Sequence, residues 1–416
     1  MRRLLLPALL GLLGVAHAQR LSPLAPAPDW SRLEAYQETI TRAEFTRLLD
    51  EIYAPQQAAA GLIEIGEETA VIRQNLAPGD TFVLHFAKDD AHAKAIPRYW
   101  RNLADIPRGS DPARTLAGVK IAIDPGHLGG DWAKMEERWY QIGETVPVTE
   151  GDLTLRVAQL LAPQLTALGA EVTLVRSAAG PTTPERPETL REAARVALAL
   201  QGIPNPPETY ADASDPLRAT SVQFQSELLF FRTAEIRHRA EVVNTKIRPD
   251  FVLCLHFDAD AWGEATIPNF TPNNYLHALI HGTCSAAELR HDDVRHDMLL
   301  KLLDQTANAE QSACETIIQT MARRLALPPR IYTRDIAHRP GPSPYVWARN
   351  LLANRLYRCP VVFLEAYAMN NREVWERIQA GDYEGEREVA GSRRASIYRE
   401  YADAVAEGVR ALGPAH

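Results

Sequence analysis

Four residues of this chain, His127, Glu150, His256 and Glu365, carry side chains that together suit hydrolytic chemistry. Two imidazoles and a carboxylate match the donor set of a catalytic zinc, which takes three protein ligands and keeps one position for water. A second carboxylate nearby can serve as general base and then as general acid. His127 follows the apolar run 119–123 in the turn Asp124-Pro125-Gly126-His127. His256 ends the run Phe251-Val252-Leu253-Cys254-Leu255, and Glu365 ends Val361-Val362-Phe363-Leu364. Glu150 stands at a helix entrance, before Gly151-Asp152-Leu153-Thr154-Leu155. The set forms no local motif. What unites it is position, because chemistry in an open α/β sheet sits beyond the carboxyl ends of the strands. Singly, a strand-end histidine reads as a hydrogen-bonded structural residue, and Glu150 as a cap. Glu365 is harder to read that way, because a carboxylate buried after four apolar residues is costly without a partner or a task.

The elements that must position these residues follow an alternating strand and helix order from Leu116. Pro125 stops the first strand, and Gly126 is expected to supply a positive φ that holds the His127 imidazole on backbone. Asp124 reads as a turn-capping acceptor or as an orienter of His127. Apolar spacing predicts a helix over 152–168, stopped by Gly169, and then a strand over 171–176. Further helices are expected over 188–200 and 227–245, and strands over 251–256, 275–281 and 361–365. This order implies an α/β fold, a mostly parallel sheet with helices on both faces. A small α+β N-terminal region over 30–115 precedes it, with a helix over 41–53 capped by Thr41 and short strands near 62–65 and 81–86. The 116–416 domain carries insertions near 177–226 and 260–358.

Composition sets the outer bounds. The 416 residues are 46% hydrophobic and 24% charged, which is globular. The net charge of -8 and the lack of a basic stripe argue against a nucleic-acid partner. Arg2 and Arg3, the apolar run 4–15 and Ala16-His17-Ala18 read as a signal peptide over 1–18, followed by a Pro/Ala-rich linker over 19–29. The expectation is therefore export to a periplasmic or extracellular location, with no stable membrane insertion after cleavage. Cys254, Cys284, Cys314 and Cys359 lack the close spacing of a thiolate zinc site. Cys284–Cys314 is a candidate bridge in an oxidising compartment.

From Val119 to about Ile378 the chain resembles the zinc-dependent N-acetylmuramoyl-L-alanine amidases of the type-3 family. The resemblance is carried by Ile123-Asp124-Pro125-Gly126-His127, by Glu150-Gly151-Asp152-Leu153-Thr154-Leu155, and by the strand ending in Arg176. Arg239 and Asn244 before Phe251–His256, and Val361–Glu365 with Asn371 six residues on, complete it. It implies one zinc ion held by His127, Glu150 and His256, Glu365 as the catalytic carboxylate, and peptidoglycan as substrate. The reaction implied is hydrolysis of the amide between N-acetylmuramic acid and L-alanine. Another exported zinc peptidase or amide hydrolase, or a non-catalytic wall-binding protein of the same fold, are the alternatives.

Several residues depart from the family pattern. Leu128 separates the histidine from Gly129-Gly130, and the connection to Glu150 is long, with an aromatic and charged piece at Glu136–Tyr140. Cys254 and Asp258 stand where Ser and Asn are usual, and Ala366-Tyr367 follows Glu365. Some exported members of the family carry an inserted helix that occludes the zinc until an activator protein displaces it. The 177–226 stretch has such ingredients, with Glu188 or Glu192 as the carboxylate that would reach the metal. The other reading of that stretch is a surface decoration packed away from the cleft.

Overall fold

The computed structural model describes residues 20–77, 79–107, 111 and 113–412, so the expected signal peptide lies outside the described residues. The central sheet has six strands: β1 (Lys120–Pro125), β2 (Glu171–Leu174), β3 (Phe251–Asp258), β4 (Leu276–Ile280), β5 (Val346–Ala348) and β6 (Val361–Ala368), in the spatial order β5-β4-β6-β3-β1-β2. Neighbours are parallel except β4 and β6, which run antiparallel. The mostly parallel α/β sheet expected from the alternating pattern is thus present. The short strand β5 carries too few residues to show a period and was not anticipated.

Side-chain alternation along the strands explains why both faces are covered. Leu253, Leu255 and Phe257 of β3, with Val362, Leu364 and Ala366 of β6, enter one apolar core. Helices α1 (Glu150–Ala167), α4 (Thr306–Leu325) and α5 (Ile397–Arg410) supply Val157, Leu161, Ile317, Ile318, Tyr401 and Val405 to that core. The opposite-facing residues Val252, Cys254, Val361 and Phe363 join Ala240 and Val243 in a second core. Those last two belong to α3, a helix over 222–247 widened at Phe230–Ala234 and Val242–Ile247. Because every second strand residue meets a helix on its own face, the strands read as continuous apolar runs.

The N-terminal region contributes a three-stranded antiparallel sheet, Ile63–Ile65, Thr69–Arg73 and Thr81–His85, and the expected helix, observed as Arg42–Leu48 with a wide turn through Leu49–Tyr53. Its Phe45, Leu48, Ile52 and Tyr53 belong to the same apolar core as the sheet. Backbone bonds from Thr283 N to Ile52 O and from Cys284 N to Tyr53 O, each 2.8 Å, tie it to the segment after β4. The candidate bridge Cys284–Cys314 is not formed. All four cysteines are free and buried, and Cys314 Sγ approaches the Val361 carbonyl at 4.0 Å instead. No helix among the described residues is long and apolar enough to cross a membrane.

Candidate metal centre

The carboxyl ends of β1 and β3 and the start of α1 bring His127, Glu150 and His256 together, with one potential ligand atom from each lying within 4.8 Å of the others. His127 Nε2 is 3.1 Å from Glu150 Oε2, and His256 Nδ1 is 3.1 Å from Glu150 Oε1. Both imidazole nitrogens therefore face the same carboxylate. Two neutral imidazoles and one carboxylate are a donor set that fits a divalent zinc. Glu365 is the register partner of His256 on the neighbouring parallel strand and lines the same groove as the three.

Local packing explains this convergence. Residue 126 must be glycine because a Cβ there would overlap the His256 ring. The positive φ expected at Gly126 is instead found at His127, at 62°. That region is disfavoured for most side chains but visited by His more often than average. The turn is held by two buried arginines. Arg239 donates to the carbonyls of Pro125 and His127 at 2.9 Å each, and Arg176 donates to those of Gly126 and Gly151 at 3.2 and 2.7 Å. Asp124 neither caps this turn nor touches His127. It accepts from Arg239 at 2.9 Å and from the Tyr357 hydroxyl at 2.5 Å, and so neutralises the arginine that holds the turn. On the far side, a Cβ at Gly151 would overlap the backbone of Gly129, which lets α1 start against the turn.

The His256 ring is held by stacking, with Phe363 parallel to it at 4.2 Å and 14°. His127 meets two carboxylates, Glu150 and, at Nδ1, Glu136 at 3.4 Å. Burial pulls the His127 imidazole down, but Glu150 and Glu136 outweigh it and push it up to about 9. Burial raises the Glu150 carboxyl, yet the two histidines leave it well below the usual carboxylate range. His256 is lowered, chiefly by burial. Glu365 is raised well above the ordinary value by burial, then by Asp258 and Glu150. A cation among the three ligands would offset the negative charge that Glu365 faces.

The groove around these residues encloses about 1050 Å³. Lys134, Arg138 and Trp139 line it, as do Asp258, Trp262 and Arg349. The 177–226 stretch contributes Ala213, Ser214 and Arg218 to the lining, but neither Glu188 nor Glu192. Glu192 pairs with Arg195 at 3.2 Å, both exposed. The expected helix over 188–200 is observed as α2 (Arg191–Leu200), and its Ala194 and Leu198 pack with Leu128 and Phe230. The added charge of Asp258 is balanced by Arg330, which also donates to Tyr275, and Asp258 is raised to about 6 by burial. Asn371 caps the helix Arg372–Gln379, a structural role. Glu136, Arg138, Arg330 and Arg349 were not singled out from the sequence. Only the unusual length of the connection from His127 to Glu150 pointed toward the first two.

The chain matches no family model and no curated protein sequence. It is similar to solved structures of N-acetylmuramyl-L-alanine amidases. The apo form of Ami1 from Mycobacterium abscessus is 16% identical with a TM-score of 0.38, covering 71% of this chain and 99% of that one. CwlD from Clostridioides difficile, solved in complex with the GerS lipoprotein, is 11% identical with a TM-score of 0.37, covering 71% and 98%. AmiC2 of Nostoc punctiforme is 14% identical with a TM-score of 0.35, covering 71% and 96%.

Proposed function

We propose that this chain is an exported, zinc-dependent peptidoglycan amidase that hydrolyses the amide between the lactyl group of N-acetylmuramic acid and L-alanine. The observation that carries the reading is the convergence of His127, Glu150 and His256 on one point, with Glu365 sharing their groove. Zinc, when bound, supplies a water of lowered pKa and polarises the scissile carbonyl. His127, Glu150 and His256 would hold it, and Phe363 keeps the His256 ring in place. Glu365 takes the proton of the attacking water and passes it to the leaving amine. Arg349 lies in the same groove and counters part of the charge on Glu365. An activator protein is expected from the family resemblance, and the 177–226 segment reaches the groove through Ala213, Ser214 and Arg218, not through Glu188 or Glu192.

The test uses the chain from Gln19 onward, loaded with zinc and given purified peptidoglycan. The expected products are glycan bearing a free lactyl carboxylate and peptide with a new N-terminal alanine, separated and weighed by mass spectrometry. Cleavage within the stem peptide would identify a zinc peptidase instead. Peptidoglycan binding without hydrolysis would identify a wall-binding protein.

A further inference from the structure

The connection from His127 to Glu150 does more than join two ligands. Glu136 Oε1 lies 3.4 Å from His127 Nδ1, the ring nitrogen that faces away from the other ligands. Its second oxygen accepts from the backbone N–H of Leu128 at 2.8 Å. Glu136 is only 3% exposed, so few waters are available to replace these contacts. Two residues on, Arg138 Nε lies 3.3 Å from Glu150 Oε2, and the Arg138 carbonyl accepts from Glu150 N at 3.3 Å. Trp139 pairs with Thr149 in a short antiparallel ladder that anchors the segment to the start of α1.

Resting on the zinc reading above, we propose that Glu136 is a positioning residue for the metal centre. It holds His127 with the proton on Nδ1 and the lone pair on Nε2, aimed at the metal. A carboxylate on the outer nitrogen of a metal-bound histidine fixes the tautomer and raises the basicity of the ligand. The need for one here follows from the backbone. His127 sits at φ 62° and meets another ring only edge-on, His256 at 5.1 Å, so the carboxylate at its outer nitrogen is the group placed to set its ring direction. Glu136 stands against the outer ring nitrogen at 3.4 Å and accepts from the next backbone N–H, and thereby couples ring direction to the turn.

Zinc affinity of the full mature chain, measured by competition with a chelator, tests this. Glu136→Ala is expected to weaken zinc binding about 10- to 100-fold. Glu136→Gln, which keeps an acceptor of nearly the same shape, should fall between that variant and the parent, and it decides the matter if Glu136→Ala does not fold. The second readout is the His127 Nδ1–H proton by NMR in the zinc-loaded chain. It should be protected from solvent exchange in the parent and exchange rapidly in Glu136→Ala, a change that a role limited to holding the Leu128 N–H would not produce. Parent-like affinity in both variants, or an unchanged Nδ1–H in Glu136→Ala, overturns the proposal. His127→Ala is the control that separates the two readings. If it binds zinc as tightly as the parent, the metal centre itself is wrong; if it loses zinc while both Glu136 variants keep it, only the role of Glu136 falls.

Discussion

At the scale of single residues the site is a balance of buried charges, and pH should expose it. Without metal, the His127 imidazole is held up to about 9 against an unfolded value of 6.5. The folded chain therefore binds a proton that the unfolded chain releases between these values. The stabilisation is complete below pH 6.5 and is lost as pH rises through about 9. Denaturant titrations in chelator across that window should show stability falling with pH, and His127→Gln should flatten the slope. Metal needs the neutral ring, so zinc binding at pH 7 should release a proton, measurable by calorimetry in buffers of different ionisation enthalpy. Glu365→Gln is nearly isosteric but cannot accept the proton of water. It should cost ~100-fold or more in hydrolysis while zinc stays bound. An active, zinc-loaded Glu365→Gln chain would remove Glu365 from the mechanism.

At the scale of elements, the β1 turn is the part most sensitive to small changes. Gly126→Ala places a methyl group into the His256 ring and should drive it off Phe363. Zinc binding should be lost while the far-ultraviolet spectrum stays native, because the strands themselves are untouched. Leu128, fully buried among Leu190, Leu198 and Phe230, couples the turn to the 177–226 segment. Replacing 180–208 by a Gly/Ser loop strips Leu190, Ala194 and Leu198 from that cluster. The shortened chain should melt lower and hydrolyse peptidoglycan no faster than the parent. A faster, equally stable, zinc-loaded variant would support the occluding role expected for this stretch.

At the scale of the whole molecule, the N-terminal region behaves as part of the core. The Tyr36 hydroxyl donates to Asp304 at 2.5 Å, and Arg358 donates to both Tyr36 and Asp304. Removing residues before 116 would expose the apolar surface that Phe45, Ile52 and Tyr53 cover. The chain cut to 116–412 should therefore fail to give a cooperative unfolding transition, whereas a separable accessory unit would leave one. Export is tested by sequencing the N-terminus of protein recovered from the envelope, which should begin at Gln19.

The amino-acid sequence by itself marked the sheet strands other than β5, the main helices to within a few residues, and the four residues proposed above to carry the chemistry. Those features depend on short-range physics: apolar runs bounded by Pro and Gly, helical spacing, and strand ends carrying polar groups. It determined less about the joining of distant parts. Whether Asp124 served His127 or Arg239 depended on a helix more than a hundred residues away. The approach of Glu136 to His127 depended on how a long connection folds back against its own start, which no periodicity encodes. Gly126 was legible as a turn glycine for the wrong reason, because the ring it must admit comes from β3. The antiparallel β4 and the shared core of the N-terminal region were likewise decided only by tertiary packing, where buried area and paired backbone groups are summed over the whole chain.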